Sequence, residues 1–177
     1  MRLTRSNWYV VLIPLVLIPM YLVNIFDVKP AGMQFLYSNV TASLPAGWYI
    51  AIPGKTIRPG DIVAYDEPEI IAYAKDRGWL KHSKQMPQVL LKNAAPAGTP
   101  YSLTPDGSFY VNYEYIGKIL RTNREGQGLP QLPPGNYVVP EGTFLPYTYQ
   151  PESFDGRYTG PVSIDKIQHR VVPVLTF

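Results

Sequence analysis

Two hydrophobic patterns divide the chain. The first is unbroken: residues 8–26, WYVVLIPLVLIPMYLVNIF, carry no charge, and about 19 apolar residues are enough to cross a bilayer core. Pro14 and Pro19 lie inside this run; both would break a soluble helix but are tolerated in a membrane span. Arg2 and Arg5 precede it, and Trp8 and Tyr9 stand where interfacial anchors stand. The positive-inside tendency then predicts a cytoplasmic segment at 1–7, a transmembrane anchor at 8–26 and a periplasmic domain at 27–177. A cleaved signal peptide would have a shorter apolar stretch and a small-x-small cleavage site. Asp27-Val28-Lys29-Pro30 follows instead, which favours an uncleaved anchor.

The second pattern begins near Met33. Short apolar runs alternate with Pro/Gly turns, the signature of a β-rich fold. Strands are expected at 48–52, 62–65, 88–91, 109–113, 115–120, 137–139, 144–149 and 171–175, with a tight turn or bulge around residues 112–114. One helix is expected, capped by Asp66, with Pro68 in its first turn and Gly78 at its end. It reads as an insertion between two strands. PAGWYI at 45–50 and PPGNYVV at 133–139 are alike, each a turn feeding a strand rather than a repeat.

Composition agrees with this picture and narrows the chemistry. Pro 19, Gly 14 and Tyr 14 suit strands joined by turns, and 46% hydrophobic against 16% charged residues excludes a disordered chain. At 177 residues the chain holds one modest domain plus an anchor. The absence of cysteine excludes disulfides and thiolate chemistry. His82 and His169, the two histidines, have no metal-ligand spacing. A net charge of +3 is compatible with an anionic membrane surface and does not call for nucleic acid. The basic stretch Lys75, Arg77, Lys81 and Lys84, with Tyr73 and Trp79 interleaved, reads as a solvated helix near a membrane.

Hydrolysis in such a chain must rely on carboxylates, hydroxyls or lysine. Paired Asp-Thr/Ser-Gly loops, a G-x-S-x-G elbow, Walker loops and G-x-G-x-x-G are all missing. A serine activated by lysine remains. Ser43 precedes a Pro45/Gly47 turn that would aim it in a fixed direction, though by itself it could be an ordinary turn serine. Lys92 follows Val89-Leu90-Leu91, an apolar strand whose burial would disfavour the ammonium and lower its pKa; a strand-end lysine reaching for water is the bland alternative. In Glu152-Ser153-Phe154-Asp155-Gly156-Arg157, Asp155 and Arg157 are spaced to brace a loop through a charge-assisted hydrogen bond. Ser153 could accept from, and so orient, a lysine amine.

Together these segments resemble the type I signal peptidases, and especially the TraF-type peptidases of conjugative transfer systems. That subfamily carries Asn-x-Thr-x-Ser-x-Pro-x-Gly-x-Tyr after an N-terminal anchor; Asn39, Thr41, Ser43, Pro45, Gly47 and Tyr49 match it. Gly60-Asp61-Ile62-Val63 resembles the strand-opening box, residues 77–92 the spacer before the catalytic lysine, and residues 153–161 the last box. The resemblance implies a signal-peptidase-like antiparallel β-sheet fold with one inserted helical segment, and a Ser43 nucleophile with Lys92 as general base. It implies that Thr41 and the Ser43 N–H hold the oxyanion, and that Ser153, Asp155 and Arg157 support the site. No cofactor or metal is implied. The implied partners are a prepilin or similar preprotein, inner-membrane lipid and other conjugative-transfer components, with no nucleic acid. Hydrolysis and cyclisation of the pilin both remain open. A housekeeping signal peptidase or a catalytically silent scaffold of the transfer apparatus are the rival readings. Two departures stand out: Asn93 replaces the basic residue usual after the lysine, with Pro96-Ala97-Gly98-Thr99 in place of the Pro-Gly-Asp that follows, and Gly156 replaces a serine of the last box.

Overall fold

The computed structural model describes residues 13–15, 18, 35–39, 41, 43–54, 56–77, 89–123 and 126–177. The chain divides into two compact units, Met1–Tyr37 and Ser38–Phe177. The anchor expected at 8–26 lies outside the described residues apart from helical positions at 13–15 and 18. Among the described residues no helix is long and apolar enough to cross a membrane.

The larger unit is a mainly antiparallel β structure in two sheets. In chain order the elements are β1 (Leu36–Asn39), β2 (Gly47–Ile52), β3 (Asp61–Asp66), α1 (Pro68–Asp76), β4 (Val89–Pro96), β5 (Pro100–Leu103), β6 (Ser108–Val111), β7 (Glu114–Lys118), β8 (Gly135–Val138), β9 (Thr143–Tyr147), α2 (Gly156–Thr159), β10 (Val162–Ser163) and β11 (Ile167–Thr176). One sheet runs β2-β11-β3-β4-β9-β10, with the 38–39 end of β1 beyond β2; the other runs β7-β6-β5-β8.

The long last strand joins what the sequence separates. Its first half pairs with β3 (Ile167 opposite Tyr65, Arg170 opposite Val63) and its second half with β2 (Arg170 opposite Ile52, Thr176 opposite Gly47). Strand β4 then pairs with β3, setting Lys92 directly across from Val63, and with β9, setting Asn93 across from Tyr147. Because side chains alternate between faces, Leu90, Lys92 and Ala94 share one face of β4. That face carries a buried cluster of Ile57, Val63, Tyr65, Ala94, Phe144, Val162 and Ile167, with Leu90 packed against it. A second cluster joins β4 and β9 to the smaller sheet through Ala95, Tyr101, Phe109, Val111, Ile116, Leu145, Tyr147 and Tyr158.

The sequence reading misplaces β4 by stopping it at residue 91. Two small alanines, Ala94 and Ala95, continue the strand because both are buried between its neighbours, so Lys92 is mid-strand rather than at a strand end. The reading also omits β1, β5, β10 and α2, all four residues long or shorter. The expected turn at 112–114 is a tight connection between β6 and β7 in which Asn112 and Tyr113 both take positive φ, 49° and 66°. Helix α1 starts at Pro68 as expected and ends at Asp76; residues 78–88, Gly78 among them, lie outside the described residues.

Gly47 is required by the β2–β11 pairing. Its φ is +148°, and a Cβ there would lie 2.0 Å from the Leu175 carbonyl oxygen. Neither backbone can give way without parting the two strands. Gly47→Ala is therefore expected to destabilise the domain by at least about 2 kcal/mol, measured as a lowered urea midpoint, whereas Gly98→Ala, with open space around it, should carry only the smaller cost of its backbone strain.

Candidate active site

Three chain segments meet beside β4. Strand β4 supplies Lys92 from its middle, so the side chain leaves the sheet on the apolar face described above and is only 3% exposed. Its amine donates to Ser43 Oγ at 2.7 Å and to Ser153 Oγ at 2.6 Å. The two hydroxyl oxygens are 3.3 Å apart. Three polar atoms separated by 49, 61 and 110 positions along the chain thus form one triangle. Burial is the largest influence on Lys92 and lowers its pKa from 10.5 to about 8; Asp155 pulls it back up and Arg157 pushes it further down. At pH 7 roughly a tenth of the molecules then hold a neutral amine, against well under a thousandth for a free lysine.

The loop bearing Ser43 is held by its own neighbours. Asn39 lies two positions before Thr41, the spacing at which an Asn side chain closes a turn on the backbone. Its Oδ1 accepts from the Thr41 N–H at 3.2 Å and from the Thr41 hydroxyl at 2.8 Å. Its Nδ2 donates to the carbonyls of Thr41, Leu44 and Pro45 at 3.0, 2.7 and 3.1 Å. Tyr49, at the start of β2, donates its hydroxyl to the Pro45 carbonyl at 2.8 Å.

The loop bearing Ser153 is held by a buried ion pair. Asp155 caps α2 by accepting from the Arg157 N–H, and Arg157 Nε donates to Asp155 Oδ1 at 2.8 Å with both side chains fully buried. Arg157 Nη2 donates to Asp155 Oδ2 at 3.1 Å and also to the Thr148 carbonyl at the end of β9. The Thr148 N–H in turn donates to Asp155 Oδ2 at 3.1 Å. Thr148 meets one donor and one acceptor of this deeply buried pair, while Arg157 Nη1 is buried with no hydrogen-bond partner among the described residues. The Arg157 guanidinium also lies 6.0 Å from the Phe109 ring centroid.

The structure gives a spatial reason for one departure from the family pattern and places the other away from the amine. A Cβ on Gly156 would stand 2.5 Å from the Pro146 carbonyl oxygen and 2.7 Å from a Leu145 methyl, so this packing leaves no room for a serine. Asn93 is next to Lys92 in sequence but on the opposite face of β4, so it does not compete for the amine. Sequence reasoning names Ser43, Lys92, Thr41, Ser153, Asp155 and Arg157, and all six stand in or around this one site. It gives no role to Asn39, although the Asn-x-Thr spacing signals an Asx turn. Thr148 it misses altogether, and nothing local marks it: the tie to Asp155 forms only when the 153–157 loop folds back on β9. Among the described residues no group of His, Asp or Glu could hold a metal ion.

Comparison with known proteins identifies the family. The sequence matches the family described as signal peptidase, peptidase S26, over residues 5–175. A plasmid transfer protein TraF from Escherichia coli is 27% identical over 162 residues, covering 83% of this chain and 88% of that protein. A second Escherichia coli plasmid transfer protein TraF is 25% identical over 148 residues, covering 78% and 82%. A solved signal peptidase I from Enterococcus faecalis shares 18% identity at a TM-score of 0.38, covering 68% of this chain and 100% of that one. With nearly its whole length matched to one family, and with a buried lysine, two serines and a braced loop assembled from distant segments, this chain belongs to the signal peptidase family, peptidase S26.

Proposed function

We propose that the chain is a membrane-anchored serine endopeptidase in which Ser43 is the nucleophile and Lys92 the general base, acting on a prepilin or similar preprotein of a conjugative transfer system. The observation that carries this reading is the 2.7 Å approach of Ser43 Oγ to a buried amine whose pKa is lowered to about 8. An exposed lysine would be charged and could not take a proton; a neutral one can. Ser153, 2.6 Å from the amine, keeps it aimed at Ser43, and the Asp155–Arg157 pair holds Ser153 in place.

In the proposed cycle neutral Lys92 removes the Ser43 hydroxyl proton as Oγ adds to the scissile carbonyl carbon. The oxyanion that forms is met by the Ser43 N–H and by Thr41, whose hydroxyl must first give up its bond to Asn39. Collapse breaks the C–N bond, the Lys92 ammonium returns its proton to the departing amine, and the ester on Ser43 remains. Water, deprotonated by Lys92, then releases the carboxylic acid. A nearby N-terminal amine in place of water would close the product into a ring, and product mass distinguishes the two outcomes by one water. The apolar run at 8–26 is proposed to anchor the chain in the bacterial inner membrane with the catalytic domain in the periplasm, where the cleavage region of an inserted precursor emerges. The substrate class and the place in conjugation rest on the resemblance to the plasmid transfer proteins.

Incubation of the purified chain with precursor pilins encoded in the same genetic neighbourhood tests the reading. Ser43→Ala and Lys92→Ala are each expected to abolish cleavage, and the double change to be hardly worse than either, because the two groups act as one unit. Near-normal cleavage by either variant would remove the dyad, whereas a wild-type chain that cleaves no precursor would leave a scaffold role as the better account.

The pH profile tests the base separately. The reactive form is the neutral amine, so kcat should rise with pH to a plateau with a midpoint about 8, the value to which burial brings Lys92. A rate still climbing toward pH 10 would show a solvated base.

Stability should move in step. The folded pKa lies below the unfolded value of 10.5, so between about pH 8 and 10.5 the unfolded chain binds more protons and folding gains stability as pH rises. Lys92→Met is therefore expected to melt higher than the wild type at pH 6, with the difference shrinking as pH rises through that window. A constant difference across pH would contradict the burial of a titrating amine.

A further inference from the structure

Asn39 matches the TraF-type motif, and the steps derived above use it only as the partner that the Thr41 hydroxyl must leave. Its side chain is buried and bonds both flanks of the nucleophile, Thr41 before Ser43 and Leu44 and Pro45 after it. The orientation of its amide follows from these partners. Reversed, it would set its oxygen against three carbonyl oxygens and its NH2 group against the Thr41 N–H.

That orientation has a chemical consequence. An amide oxygen carries no proton, so in the 2.8 Å contact with Thr41 Oγ1 the hydroxyl is the donor. A threonine hydroxyl has one proton, and in the resting site Asn39 holds it. Thr41 can serve an oxyanion only by exchanging this partner, which a developing negative charge favours over a neutral amide oxygen.

We infer that Asn39 is a positioning residue: it sets the Ser43 loop from both sides and holds the Thr41 hydroxyl until an oxyanion competes for its proton. This rests on the Ser43–Lys92 reading. An error of about 1 Å in the position of a reacting atom can cost on the order of 100-fold in rate. Removing a clamp of this kind should therefore appear in kcat with substrate affinity largely kept.

The test measures kcat and KM on a precursor that the wild-type chain cleaves, for Asn39→Ala, Asn39→Asp, Thr41→Val and the double variant Asn39→Ala with Thr41→Val, at a temperature where each is folded. Asn39→Ala is expected to lose about 10–100-fold in kcat with KM nearly unchanged. Asn39→Asp has the same shape and still accepts from Thr41, but its carboxylate cannot donate to the three carbonyls, so it should lose at least as much. If packing alone mattered, Asn39→Asp would behave as wild type; that result, or a loss confined to KM, overturns the inference. Thr41→Val should cost much less in the Asn39→Ala background than alone, and a full multiplicative loss overturns the link between the two residues. Hydrogen exchange at the Thr41 backbone N–H reads the clamp without catalysis. It should be faster in Asn39→Ala, and an unchanged rate overturns the clamp. A wild-type chain that cleaves no precursor while this amide stays protected would instead sink the peptidase reading, and the catalytic half of this inference with it.

Discussion

The site depends on taking one lysine amine out of water. A charged ammonium in an apolar surround is unfavourable unless it is paired or gives up its proton, and among the described residues Lys92 forms no ion pair. Its partners are two neutral hydroxyls, which can accept from an ammonium or from an amine and so do not force the charge. What keeps water away is the sheet itself: Val63 directly across on β3, and Leu90 and Ala94 on the same face of β4. The lysine that weakens the core at neutral pH is the group whose lowered pKa suits it to act as a base, a trade of stability for chemistry common at active sites.

The hydroxyls reach the amine only because two loops are stiff, and the two are stiffened by different means. Around Ser43 the restraint is local: one asparagine amide and one tyrosine hydroxyl bind backbone carbonyls within a few residues. Around Ser153 it is long-range and ionic: Asp155 and Arg157 tie a short helix to the end of β9 through Thr148. Neutral hydrogen bonds suffice for the first because the Pro45/Gly47 turn already restricts the backbone. The second loop begins at an exposed turn (Pro151 and Glu152 are both exposed) and enters the core within one residue, so a stronger, fully buried pair holds it down.

Arg157 connects the two sheets as well. Its guanidinium faces Phe109 of the smaller sheet and approaches the position where Gly117 has no side chain. Phe109, which belongs to one buried cluster with Ile116, Leu145 and Tyr158, thus sits beside the same residue that braces Ser153. The smaller sheet belongs to the foundation of the site even though it contributes no reacting atom.

Much of this was legible without coordinates. Alternating apolar runs and Pro/Gly turns reveal strands because burial on one face of a sheet imposes a period of two, and each described strand longer than four residues was located, though not to its full length. The candidate site residues were legible through motif order: a serine before a fixed turn, a lysine after an apolar run, an Asp-x-Arg loop. What the chain could not reveal on its own were contacts between segments far apart in it. The length of β4, and with it the mid-strand place of Lys92, depends on Ala94 and Ala95 being covered by neighbouring strands, and alanine has no strand preference of its own. The lack of space at Gly156 and the part played by Thr148 exist only once β9 and the 153–157 loop touch. Local chemistry is written in neighbouring residues; the apolar run before Lys92 suggests its burial, but only the assembled sheets decide between a buried amine and one reaching for water, because burial is a property of the tertiary structure.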